Sequence, residues 1–242
     1  MDALTFGGAV EAVEGLLGSG NGGAIFTPNV DHIVIAESHA GLREAYAAAD
    51  LAVADGQWVV WASRLLGTPV PEKISGSDLL LPLARAAGQR GRSIYLLGGA
   101  PAVAEAAAHR LESEGALICG LESPPIDLAQ PQDVLVARIA AARPAIVLVA
   151  LGCPKQELWI HRHRALLRPA VLFGIGGTLD FLAGRVRRAP PWVSRAGLEW
   201  AFRLALEPRR LARRYLINDP RFLGILLRTL RAPRARRVLE TR

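Results

Sequence analysis

The stretch AIVLVALGCPKQELWI (145–160) decides how the rest of the chain is read. Seven consecutive apolar residues, rich in β-branched types, end at Gly152-Cys153, and a helical pattern opens at Pro154. A continuous apolar run, not an alternating one, is the mark of a strand covered on both faces. Such strands belong to parallel sheets, in which a helix must follow each strand to return the chain to the starting edge.

Moving outward, the same grammar repeats. GAIFT (23–27), LAVA (51–54), SIYLLG (93–98), ALICG (116–120) and AVLFG (170–174) are the other expected strands. PAVAEAAAHRLES (101–113) and QDVLVARIAAAR (132–143) have a 3.6-residue period and are expected helices between them. The prediction is an α/β fold, a Rossmann-like parallel sheet flanked by helices, over residues 1–185. Past Arg185 the strand pattern stops. Residues 186–242 are predicted as a helical appendage, with helix starts at Pro208 and Pro220 and an N-cap at Asp219. In its last helix Leu223, Leu226, Leu227 and Leu230 fall on one face, flanked by Arg221, Arg228 and Arg231.

Charge divides the chain at the same place. The 242 residues carry a formal net charge of +7, with 51% hydrophobic and 21% charged residues, a globular composition. Up to residue 183 there are 13 Lys and Arg against 18 acids; from residue 184 on there are 16 Arg against 4 acids. A basic appendage on a slightly acidic body suits an anionic partner, a membrane surface or a nucleic acid. No apolar run approaches the about 20 residues that span a bilayer. The opening residues lack the basic region of an export signal, and Cys119 and Cys153 have no paired spacing. The expected setting is a reducing cytoplasm.

Ligands of parallel α/β sheets bind where strands end and helices begin. Four such junctions carry polar residues. In FTPNVDH (26–32), Pro28 forces Thr27 into an extended conformation and Asn29 reads as a helix N-cap. In VADGQWVVWA (53–62), Asp55 is either the N-cap of the helix bearing Trp58, Trp61 and Leu65, or a partly desolvated carboxylate fit for general-base work. In PEKISGSDLL (71–80), Ser75 and Asp78 approximate a capping box, and Lys73, one of only two lysines, lies outside it. In ALGCPKQELWI (150–160), Gly152, Lys155 and Gln156 surround a helix N-terminus suited to a diphosphate. GIGGTLDFLAG (174–184) is only superficially a dinucleotide loop. The five histidines, His32 among them, show no metal-ligand spacing, and no Asp-x-Asp pair is present to hold a divalent ion. No metal or other cofactor is expected; an anionic leaving group would be neutralised by Lys, Arg and helix ends.

Taken together, TPNVDH, ADGQWVVWA, GSDLL, LLGG, GCPKQELWI, GIGGTLDFLAGRVRRAPPWV and GLEWAFRLALEPRRLARRYL resemble the WecG/TagA/CpsF family of bacterial glycosyltransferases, in the family's order over about residues 24–217. The resemblance implies a GT-E type fold and an inverting, metal-independent transfer from a UDP-sugar to a polyprenyl-diphosphate-linked saccharide. It implies an N-acetylmannosamine-type sugar or related hexose, used in teichoic acid, capsule or exopolysaccharide synthesis. By position, Asp55 matches the catalytic base, and Thr27 and Asn29 match residues near the reacting sugar. Gln156 matches another pocket residue, and Lys73 stands where the family usually has Arg. Arg213 or Arg214 would close over the diphosphate. The appendage is implied to meet the membrane, placing the protein peripherally on the inner face of the plasma membrane. A nicotinamide-dependent Rossmann oxidoreductase and a nucleic-acid-binding protein are the alternatives, resting on the glycine loop and the Arg-rich tail; no nucleic-acid partner is expected.

Overall fold

A computed structural model describes residues 1–232; the final ten residues of the expected basic appendage, 233–242, lie outside that description. All six expected strands form one parallel sheet: β1 (Gly23–Phe26), β2 (Leu51–Ala52), β3 (Ser93–Gly98), β4 (Leu117–Glu122), β5 (Ile146–Ala150) and β6 (Val171–Gly174). They lie in the order β2-β1-β6-β5-β3-β4. β2 is shorter than its apolar run because its neighbour turns into Thr27-Pro28, and Pro28 has no N–H to extend the ladder. The chain still follows β1 beyond β2: Val53 N donates to Phe26 O at 3.1 Å and Asp55 N to Pro28 O at 2.9 Å.

The continuous apolar runs are explained by two cores, one on each face. Ile25, Ile94, Leu96, Ile146, Leu148, Val171 and Phe173 point to one side. There they meet α1 (Phe6–Ser19), α5 (Gly76–Gln89), α6 (Pro101–Ser113) and α9 (Thr178–Leu182). The intervening Ala24, Phe26, Tyr95, Leu97, Val147, Val149 and Leu172 point to the other. They are covered by α7 (Asp133–Ala141) and α8 (Lys155–His163), with Tyr46 of α3 (Ala40–Ala47) at the margin. At about 1.5–3 kcal/mol for each large apolar side chain fully buried, these two layers supply the main drive to fold.

The remaining body helices, α2 (Val30–Ser38) and α4 (Gln57–Leu65), stand at the β1–β2 edge and receive the appendage. That appendage is helical as expected: α10 (Pro191–Arg195), α11 (Glu199–Leu206), α12 (Pro208–Arg213), a π-helical turn (Arg214–Asn218) and α13 (Arg221–Arg231). α13 lies on α2 and α4, its buried Phe222 packed with Val34 and Ala62 and its Ile225 and Leu226 beside them. The inward face is therefore Phe222, Ile225 and Leu226, not the expected leucine row: Leu223 and Leu227 are 51% and 54% exposed. Asp219 is not the cap of α13, a place taken by Pro220. A second contact joins Trp58 Nε1 to Gly197 O at 3.0 Å. A β-carbon on Gly197 would sit 2.8 Å from the Trp61 ring, so only glycine lets the appendage approach this closely.

Candidate active site

At the end of β2 the backbone turns through Gly56 at φ 112°, a conformation that side chains resist, and enters α4. Gly56 itself occupies the N-cap and no side chain caps this helix. Of the two readings open for Asp55, the cap is thus excluded. Its carboxyl group has no hydrogen-bond partner among the described residues. Asp55 is half-buried. Burial, then the charge of Glu199, pushes its pKa up to about 7, with Lys73 opposing. An unpartnered carboxyl group poised near neutrality is what general-base catalysis requires.

Asp55 opens into a cleft of about 300 Å³. Asn29, Asp55 and Trp58 line it from the α/β body; Glu199, Arg203 and Arg214 line it from the appendage. Asn29 is the N-cap of α2, as its sequence suggested, accepting from Asp31 N at 3.1 Å and His32 N at 3.4 Å. The same oxygen also accepts from the Arg214 guanidinium at 3.1 Å. Arg214 Nε lies 3.3 Å from Asp31 and 3.8 Å from Asp219, so this arginine arrives already braced. Arg203 is less committed: like that of Arg214, its Nε is buried without a hydrogen-bond partner, but it makes no ion pair among the described residues, and its head group stacks 5.2 Å from the Phe181 ring centroid.

Lys73 reaches into the appendage, donating to Ser194 Oγ at 2.8 Å and Glu199 Oε2 at 3.1 Å. Burial works to raise the Glu199 pKa, but Lys73 and the Ser194 hydroxyl outweigh it and hold the carboxyl low. Glu199 is therefore an anion beside Asp55. Thr27 is buried at 8% exposure behind the cleft, its hydroxyl and that of Thr178 lying near Gly76 at the start of α5. Gln156, 3% exposed, accepts from Gly176 N at 3.0 Å and donates to Glu157 Oε1 at 2.9 Å, fixing the loop after β6.

Of the expected site residues, Asp55, Asn29 and Arg214 line the cleft; Thr27, Lys73 and Gln156 do not, and three more are placed elsewhere. Lys155 starts α8, but its amine turns away to Ile126 O at 2.9 Å; it closes a loop and does not face the cleft. Gly152 makes the turn into α8 at φ 76° and does not line the cleft either. Of the two arginines left open, Arg214 lines the cleft while Arg213 is exposed outside it. Trp58 borders Asp55, but Trp61 serves the appendage contact through Gly197. Sequence reasoning missed Glu199 and Arg203. Their i, i+4 spacing on α11 puts both on one helix face, the signal that could have found them. It also read His32 as lacking metal-site company, whereas the fold sets it beside Cys153 and Glu157, their ligand atoms within 4.8 Å of one another.

Residues 1–236 match the family model described as Glycosyl transferase WecG/TagA/CpsF family. The chain belongs to this family. Its curated relatives include the N-acetylglucosaminyldiphosphoundecaprenol N-acetyl-beta-D-mannosaminyltransferase of Bacillus spizizenii (strain ATCC 23059 / NRRL B-14472 / W23). That protein is 35% identical over 186 residues, which make up 76% of this chain and 70% of the relative. The protein of the same name from Bacillus subtilis (strain 168) is 35% identical over 176 residues, 72% of this chain and 67% of the relative. Membership fixes the reaction class as glycosyl transfer, which the glycine loop alone had left open to a nicotinamide oxidoreductase. The family match extends through α13, so the helices that wall the cleft belong to the matched region.

Proposed function

We propose that this chain transfers an N-acetylmannosamine-type sugar from a UDP-sugar to a polyprenyl-diphosphate-linked N-acetylglucosamine, with inversion and without a metal. The observation that carries this reading is Asp55, an unpartnered carboxyl group with a pKa near 7 at the floor of a cleft walled by arginines. The relatives' names supply the sugar and the acceptor.

In this reading Asp55 takes the proton from the acceptor hydroxyl as its oxygen attacks C1 of the donor sugar. The new O–C1 bond forms opposite the C1–O bond to the diphosphate, which breaks, and UDP leaves. Arg203 is the cation with most left to give the diphosphate, and Arg214 holds Asn29 in place at the sugar end. Lys73 keeps the positive charge of an arginine but not its two-pronged geometry, and it serves here by holding Glu199. Thr27 and Gln156 do not line the cleft, and in this reading they act by fixing the start of α5 and the loop after β6.

The appendage, residues 186–242, is the second functional unit in this reading, presenting the lipid-linked acceptor. Among the described residues no helix is long and apolar enough to cross a membrane. Leu216, Ile217, Leu223 and Leu227 are each more than half exposed, and Arg221, Arg228 and Arg231 lie on α13 with the last two. Exposed leucines beside arginines are the composition of a surface that lies in the interface of an anionic bilayer, consistent with a peripheral position on the inner face of the plasma membrane.

The test is UDP release from a panel of UDP-sugars, with and without the polyprenyl-diphosphate-N-acetylglucosamine acceptor and with chelator throughout. Acceptor-dependent release from the N-acetylmannosamine donor is expected. Release from no donor, or release abolished by chelator, would overturn the reading.

A further inference from the structure

We propose that His32, Cys153 and Glu157 form a binding site for a soft divalent cation of the Zn²⁺ class, set behind the cleft and distinct from the transfer chemistry. The three come from the start of α2, the turn after β5 and the first turn of α8, and their ligand atoms lie within 4.8 Å of one another. An imidazole, a thiol and a carboxylate are a donor set that Zn²⁺ favours over Mg²⁺ or Ca²⁺. Drawing them to about 2.0–2.3 Å from a shared ion needs inward movement of the order of 1 Å.

A second observation points to a ligand independently. Glu157 is 1% exposed, and its Oε2 is buried with no hydrogen-bond partner. Its other oxygen is committed to Gln156. A buried, unsatisfied carboxylate oxygen is costly in an empty interior, and a cation removes that cost. Tyr46 adds a second buried oxygen nearby, its hydroxyl without a hydrogen-bond partner. On binding, the Cys153 S–H bond breaks, its proton leaves to solvent, and the sulfur lone pair binds the metal. One thiolate, one carboxylate and a neutral imidazole then balance the two positive charges, so no net charge is buried. Cys153 keeps partial exposure, giving ion and proton a route.

The site is coupled to the cleft through His32. Its Nδ1 accepts a long bond, 3.4 Å, from Asn29 N, completing the capping box of α2. That bond and a metal are mutually exclusive. If Nδ1 ligates, its lone pair is used; if Nε2 ligates, the ring proton moves to Nδ1, which can then no longer accept. Metal occupancy therefore loosens Asn29 and inhibits the enzyme. The inhibitory part rests on the proposed glycosyl transfer; the binding does not.

The experiment is a Co²⁺ titration of the metal-free full chain, followed by absorbance. One equivalent should bring up a thiolate-to-cobalt charge-transfer band that Zn²⁺ displaces. Cys153→Ser should abolish the band and Cys119→Ser should leave it. His32→Gln retains a side chain suited to the third position of a capping box, so it should fold, and should weaken Co²⁺ binding roughly 10–100-fold. A folded wild type that shows no band, or a band that survives Cys153→Ser, would overturn the site. Zn²⁺ should then slow UDP release by the wild type and not by His32→Gln. Equal slowing of both would overturn the coupling while the spectra still stand.

Discussion

Asp55 and Glu199 are two carboxyl groups driven in opposite directions: burial raises Asp55 above all, whereas Lys73 and Ser194 outweigh the burial of Glu199 and hold it low. Lys73 touches Glu199 at 3.1 Å and keeps it ionised, and that fixed anion helps raise Asp55. The rate should accordingly climb as pH rises through about 7 and level off above it, as a required base loses its proton. Asp55→Asn should abolish transfer, and the thermal denaturation of the same variant separates this from a structural role. Between about pH 4 and 7 the folded protein holds a proton on Asp55 that the unfolded chain has released, so stability falls as pH rises across that window. Removing the charge should raise the Tm at pH 8, by on the order of 2 kcal/mol in stability once cleft water is allowed for, and change little at pH 4. A lower Tm at pH 8 would return Asp55 to a structural role. The residues around it were unevenly legible. Asn29 was readable because an N-cap is a local device. Lys155 was misplaced because its true partner, the Ile126 carbonyl, lies 29 residues away and leaves no mark near GCPKQE.

At the scale of the element, α13 shows what periodicity can and cannot fix. The helix was foreseeable from Pro220 and its apolar spacing. Its inward face was not, because Leu223 and Leu226 satisfy the same period and only the position of Val34 and Ala62 chooses between them. Phe222 is the anchor of that choice. Phe222→Ala should cost about 2–4 kcal/mol of docking, read as loss of hydrogen-exchange protection in α13 while the β-sheet amides stay protected. Global unfolding would instead make α13 part of the core unit. α11 offers the complementary case: Glu199 and Arg203 share a face that no apolar pattern predicts.

For the whole molecule, the sheet was legible strand by strand because burial on both faces keeps the inner strands β1, β3, β5 and β6 almost free of polar residues, while edge strand β4 is only partly buried and ends in Glu122. The cleft was only half legible, since its second wall arrives from helices whose docking depends on contacts such as Trp58 with Gly197. The outward apolar residues make a prediction at this scale. Replacing Leu216, Ile217 and Leu227, each at least 54% exposed, with Gln should lower partition onto anionic vesicles roughly tenfold or more. Transfer to a short-chain soluble acceptor should be unaffected. Unchanged partition would assign these three residues to some other contact.

The shared wall also sets when the protein becomes an enzyme. A ribosome makes the α/β body first, and that body holds Asp55, Asn29 and Thr27 with one side of the cleft open to water. Glu199, Arg203 and Arg214 are made after it, and until they dock Asp55 lacks the charge of Glu199, which adds to burial in raising its affinity for a proton, and the cleft lacks its two arginines. A nascent body without these helices therefore has half a cleft, and under the proposed reaction its chemistry waits for their docking.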